Sequence, residues 1–144
     1  MDERTAHLLY DLLVGMCESW VGKDETDDRQ LHTSAKKLIG PAFAGVFASD
    51  MVPKNFRFCI TNVDTHDKPG SHWVAIASLG RQKGYLVYDS FGRHTSKLMP
   101  HLNLDTWDTD RDKEQLESED NCGARCIAWL CLVKLLGTDV AQLI

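Results

Sequence analysis

The sequence predicts an α+β fold in one domain, with a mainly antiparallel central sheet packed on a buried helix. Apolar residues recur at helical spacing over residues 4–20, and three strand patterns occupy the middle of the chain. Residues 123–136 are apolar on every side, with only Arg125 and Lys134 charged. A chain of 144 residues with 43% hydrophobic content can enclose one ordinary core, and no Pro/Ser/Gly-rich linker divides it. Residues 1–144 therefore form a single domain, with an N-terminal helical part (1–37) leading into the remainder (38–144).

Each element has its own signal. "RTAHLLYDLLVGMCESW" places Leu8, Leu9, Leu12, Leu13, Met16 and Trp20 at helical spacing, a face expected to pack on the core. "GKDETDDRQLHT" reads as an exposed loop. Thr33 or Ser34 can then cap a short helix, "SAKKLIG", stopped by Gly40-Pro41. In "NFRFCITNV" (55–63), Phe56, Phe58 and Ile60 alternate with Arg57, Cys59 and Thr61, as in a half-buried strand; "THDKPG" ends it. Two further strand patterns, "SHWVAIAS" and "GYLVYDS", are joined by "LGRQK". The last helix is the buried central one and ends at Gly137.

Charge and thiol content narrow the function. A net charge of −5 disfavours generic nucleic-acid binding, so nucleic acid is not an expected partner. Eight Asp/Glu lie between Asp105 and Asp120 against Arg111 and Lys113, a local balance of −6. That run is either a solvated loop or an attractor for a basic partner. Five cysteines without regular spacing argue against a disulfide framework and for an intracellular, reducing compartment with free thiols. No leader and no membrane span is expected, because Asp2, Glu3, Arg4, Asp11 and Glu18 interrupt the first apolar pattern.

Chemistry concentrates around "QLESEDNCGARCIAWL". Cys126 and Cys131 belong inside the helix, whereas Cys122 stands at its start, where unpaired N–H groups and the positive end of the helix dipole favour a thiolate. A partner histidine is available upstream. If the two middle strands form a hairpin about the Gly80–Arg81 bond, His72 faces Asp89, and the carboxylate can hold the imidazole Nδ1–H. An odd loop or a bulge would shift that register. Gln115, seven residues before Cys122, could reach an oxyanion. A metal site from Cys122, Cys126 and Cys131 is disfavoured, because Cys131 lies well round the helix and no paired Cys-x-x-Cys accompanies it. Neither metal nor cofactor is expected.

Taken together, "GSHWVAIA", "YLVYDSFG" and a Gln spaced from "DNCG" resemble the adenovirus-type cysteine proteases (adenain) and their relatives, the proteases of ubiquitin-like modifiers of SUMO type. The likeness extends upstream to "LIGPAFAGVF" and "FCITNVDTHDKPGSHW", covering roughly Leu38 to Leu130. It implies a papain-like cysteine peptidase architecture with residues 38–144 as the catalytic core. His72 would be the base, Asp89 the orienting acid, Cys122 the nucleophile, and Gln115 an oxyanion donor beside the Cys122 N–H. Trp73 is either a large core residue or, as the resemblance suggests, a wall of a narrow, substrate-binding cleft that accepts Gly or another small residue.

The implied activity is cleavage of precursor proteins in virion maturation, with release of ubiquitin-like modifiers, or binding of them without catalysis, as alternatives. The implied partner is a polypeptide substrate, and the implied location the host nucleus or cytoplasm and the virion. Departures accompany the likeness. The acid is Asp89, as in the modifier proteases, where adenovirus enzymes more often have Glu, and the extra C-terminal portion of those enzymes is not expected. With no cysteine between Cys59 and Cys122, a disulfide-linked activating peptide has no obvious attachment point.

Overall fold

The computed structural model describes residues 1–22 and 27–144. Helix α1 (Glu3–Val21) begins where the Thr5 N–H donates to the Asp2 carboxylate, at 2.7 Å, and stops at Gly22. Helix α2 (Asp28–Ile39) starts earlier than the sequence suggested. Asp27 caps it in a reciprocal box with Gln30, so Thr33 and Ser34 lie inside the helix. The expected loop at 22–33 is therefore partly helical, and its residues 23–26 lie outside the described residues.

A five-stranded sheet follows: β1 (Phe43–Phe47), β2 (Phe58–Asn62), β3 (Trp73–Ser78), β4 (Tyr85–Tyr88) and β5 (Thr106–Asp108), adjacent in that order. The sheet is mixed, where the sequence suggested a mainly antiparallel one. Its inner pairs, β2–β3 and β3–β4, are antiparallel, but both edge strands join in parallel. Neither edge strand was expected. β1 is short and interrupted by a bulge, and β5 has three residues inside the acidic run, so neither carries a visible period of two. Helices α3 (Thr95–Leu98), α4 (Cys122–Leu136) and α5 (Thr138–Ala141) complete the α+β domain.

Strand β2 is buried on both faces, not half-buried, because the sheet has two apolar layers. Phe58, Ile60, Ala75, Ala77, Leu86 and Tyr88 face the helices, while Cys59, Val74, Ile76 and Val87 pack with Met99 on the opposite side. On the helical side α4 is enclosed as far as Val133, but its last turn, Lys134 to Leu136, is exposed where burial was expected. Trp129 stacks on Tyr88 with ring centroids 5.4 Å apart, and its indole N–H donates to the Ala141 carbonyl at 3.0 Å. Truncating such a buried tryptophan costs about 3–5 kcal/mol.

The face of α1 differs from expectation. Ala6, Tyr10, Val14 and Cys17 are buried, Leu9 and Leu13 are partly covered, and Leu8, Leu12, Met16 and Trp20 are exposed. Two facts explain the rotation. Small side chains at 6 and 17 let α1 lie close to α4, and the Tyr10 hydroxyl bonds the Tyr88 hydroxyl while accepting from Arg125 Nη1 at 3.2 Å. Apolar spacing alone does not weigh a buried hydrogen-bond partner. Among the described residues no helix is long and apolar enough to cross a membrane.

This polar cluster makes a prediction. Burial, assisted by the charge of Asp112 and opposed by that of Arg125, pushes the Glu114 carboxyl up to about 8. A carboxyl whose folded pKa is raised stabilises most below its unfolded value of 4.5, and the contribution is lost as pH rises through about 8. Urea midpoints should therefore fall across that window, and Glu114→Gln should flatten the fall. An identical slope in the variant would remove Glu114 as its source.

Candidate active site

Loop, strand and helix each deliver one side chain. Before β3, Gly70 takes a φ of +85°, and a Cβ there would lie 2.5 Å from the Asn62 amide nitrogen, so only glycine lets the chain pass so close to β2. His72 follows, 6% exposed, and its Nε2 lies 2.6 Å from Asp89 Oδ1. Val87 and Tyr88 run the chain into "DSFG", a turn in which the Gly92 N–H donates to the Asp89 carbonyl at 2.9 Å. Gly92, at φ +69°, is needed as well, since a Cβ would meet the Arg111 carbonyl oxygen at 2.4 Å.

The hairpin register differs from the one inferred. Pairs Ala75–Tyr88 and Ser78–Tyr85 centre the turn on Arg81–Gln82, one residue later than the Gly80–Arg81 bond, with Gln82 at φ +63°. Asp89 thus lies diagonally from His72. A register shift of two keeps every side chain on its face, so the pair still meets. The carboxylate meets Nε2 of the ring, not the Nδ1 that the sequence suggested. Phe91 stands beside His72 instead, ring centroids 5.0 Å apart.

Burial by itself would lower the His72 pKa, but hydrogen bonds with Asp89 and with the Cys122 thiol outweigh it, and the imidazole is raised. Burial would raise Asp89. The hydrogen bonds from His72 and Arg93 override it and hold the carboxyl well below the usual carboxylate range. Sequence reasoning missed Arg93: its Nε donates to Asp89 Oδ2 at 2.8 Å and its backbone N–H to the same oxygen at 3.0 Å. An arginine four residues past an aspartate in a tight turn was the available signal.

Cys122 is the first residue of α4, 8% exposed. Its preceding residue, Asn121, makes no capping bond to the helix. The Asn121 side-chain oxygen accepts from Arg125 Nε at 3.1 Å, so the first N–H groups of α4 are not consumed by a cap. His72, Trp73 and Cys122 share a cleft of about 440 Å³ whose other walls include Phe47, Asn62 and His66. Trp73 lines this cleft and is partly buried against the helical-side core.

Gln115 is almost fully buried, but it does not line that cleft. Ser90, next to Asp89, donates its hydroxyl to Gln115 Oε1 at 2.6 Å, and the Ser90 carbonyl accepts the Gln115 N–H at 3.0 Å. Gln115 Nε2 donates to the Glu119 carbonyl at 2.7 Å. The amide is thereby fixed in orientation, its oxygen held by Ser90 and its nitrogen bonded to Glu119. The solvated-loop reading of residues 105–120 fails at Gln115 and holds for exposed Asp105, Asp110, Asp112, Glu117 and Asp120.

Among the remaining cysteines the thiol pKa is raised, with one exception. Burial pushes Cys59 and Cys126 up, and Cys17 is raised by its hydrogen bond to Cys131 and by burial. Cys131 is partly exposed and held below the ordinary thiol value by that hydrogen bond from Cys17. No family model and no curated protein compared with the chain matches it.

Iodoacetamide near neutral pH is expected to alkylate Cys122 before any other cysteine, because only Cys122 joins a helix start to a histidine partner. Cys131 is the rival. Peptide mass spectrometry that finds Cys131 modified first, or Cys122 reactivity unchanged by His72→Ala, would sink the assignment.

Proposed function

We propose that this chain is a cysteine endopeptidase of viral, adenain-like type that cleaves precursor proteins beside small residues or Gly. The observation that carries the reading is the 2.6 Å His72–Asp89 bond beside a cysteine at a helix start, both His72 and Cys122 opening on one cleft. In this reading the architecture is that of the papain-like peptidases, with α4 as the nucleophile helix and the β3–β4 hairpin as the source of base and acid.

The chemistry follows from the donors and acceptors. The Cys122 thiolate adds to the scissile carbonyl, and the developing oxyanion takes an N–H bond from the Cys122 backbone and, as the resemblance implies, one from the Gln115 amide, which must turn toward the cleft to make it. Imidazolium His72 gives its proton to the leaving amine as the C–N bond breaks. Asp89, ionised at all working pH values, stabilises that imidazolium and keeps the ring oriented. Water, deprotonated by His72, then attacks the thioester and releases the carboxylate and the thiolate. Trp73 and Phe47 are walls of the cleft, and in this reading they leave room for a small residue at the bond.

The test uses two substrate panels: peptides with small-residue or Gly sites, and ubiquitin-like proteins carrying a C-terminal amide reporter. Turnover of peptides alone is the expected result, and it should vanish in Cys122→Ala with substrate affinity retained. Turnover of the reporters alone would transfer the chain to the modifier proteases. Binding of modifiers without turnover of either would make it a non-catalytic module.

For Gln115→Ala, kcat should drop ~10²–10³-fold, equivalent to ~2.7–4 kcal/mol, with KM and Cys122 alkylation little altered. Because Ser90 and Glu119 also hold this amide, Gln115→Glu serves as a second variant that keeps the acceptor and removes the N–H donors. A wild-type kcat in both would take Gln115 out of the site, and a rise in KM alone would reassign it to substrate binding.

A further inference from the structure

His72 is held on two sides, and one side chain backs both holds. Asp89 Oδ1 meets the ring at Nε2, 2.6 Å away, and the Phe91 ring lies beside it with centroids 5.0 Å apart. Arg93 reaches each of these groups. Its Nε donates to Asp89 Oδ2 at 2.8 Å and its Nη2 to Oδ1 at 3.4 Å, while its guanidinium carbon sits 5.1 Å from the centre of the Phe91 ring. A planar guanidinium suits both contacts, forking onto a carboxylate and covering an aromatic ring, where an ammonium would supply only a point charge.

The two partners differ in exposure. The Asp89 side chain is almost fully buried, whereas that of Arg93 is 45% exposed. A carboxylate bonded only through one oxygen can swing about its Cβ–Cγ bond. Bonds to Oδ2 from Arg93 Nε and from the Arg93 backbone N–H, at 3.0 Å, oppose that swing and leave Oδ1 turned to His72. Lys113 also approaches Phe91, its amine 5.9 Å from the ring centre, but its hydrogen bond goes to Glu117.

We propose that Arg93 is a positioning residue of this site, acting through Asp89 and Phe91 to hold the His72 ring in place beside Cys122. Its effect on turnover rests on the peptidase reading; its effect on the ring does not.

The ring is followed by NMR titration of His72 in the Cys122→Ala background, where no neighbouring thiol titrates with it. With the fork lost in Arg93→Gln, Asp89 holds the imidazolium less well and the His72 midpoint should fall. A cation acting through charge alone gives the opposite sign, because its loss eases protonation of the ring. Arg93→Lys, which keeps the charge without the fork, should lie between Arg93→Gln and the parent, and free guanidinium ion should restore part of the Arg93→Gln midpoint, as a merely unfolded variant could not show. Lys113→Gln, which removes an exposed charge from the same aromatic ring, should leave the midpoint in place. In protein that retains Cys122, Arg93→Gln should lower kcat by up to ~10²-fold with KM little altered. A midpoint that stays or rises in Arg93→Gln, or falls equally in Lys113→Gln, would overturn the role. The expected ring response without turnover of any peptide would sink the peptidase reading and leave the positioning role standing.

Discussion

Helix α4 carries apolar side chains all the way round, and no single neighbour can bury such a surface. Its enclosure requires the sheet on one side and α1 with α2 on the other, and large core residues come from all of those elements: Trp129 from α4, Tyr88 and Phe43 from the sheet, Tyr10 from α1, and Leu31 and Ile39 from α2. Once α4 is held this way, the position of its first turn is determined to within a side chain. Cys122 must then emerge where the β3 end of the sheet runs out, beside His72. The candidate nucleophile is thus placed by packing, and its reactivity is decided by what the neighbouring loop supplies.

A polar cluster tunes the enclosure. Arg125 is buried with α4, and it reaches Tyr10 on α1, Asn121 at its own helix start and Glu119 in the preceding segment. Such a cluster is costly unless every member is satisfied. Its geometric return is that α1 has one allowed rotation and that Asn121 is drawn away from capping α4. The same bonds that orient α1 therefore leave the N–H groups at Cys122 available.

Asp89 serves two ends in a similar way. It closes the "DSFG" turn with its backbone carbonyl, while its carboxylate accepts from Arg93 and pairs with His72. Reading Asp89 as a turn residue or as a catalytic acid is no conflict, because backbone and side chain act separately. Ser90 extends the arrangement to Gln115, so one turn connects His72, Asp89 and the Gln115 amide.

Local patterns determined by themselves the elements with strong periods: α1, the β3–β4 hairpin and α4 with its stop at Gly137. They also singled out His72, Asp89 and Cys122 as candidates, because residue type and chain position carry that suggestion without coordinates. The meeting of His72 and Asp89 survived a misjudged turn centre, since a shift of two preserves the strand face. Only the tertiary structure decided the outward face of Leu8, Leu12, Met16 and Trp20, the parallel edge strands, the ring nitrogen facing Asp89, and Arg93 and Ser90 as supports. These depend on partners tens of residues away, and a spacing pattern records only a residue's own neighbours.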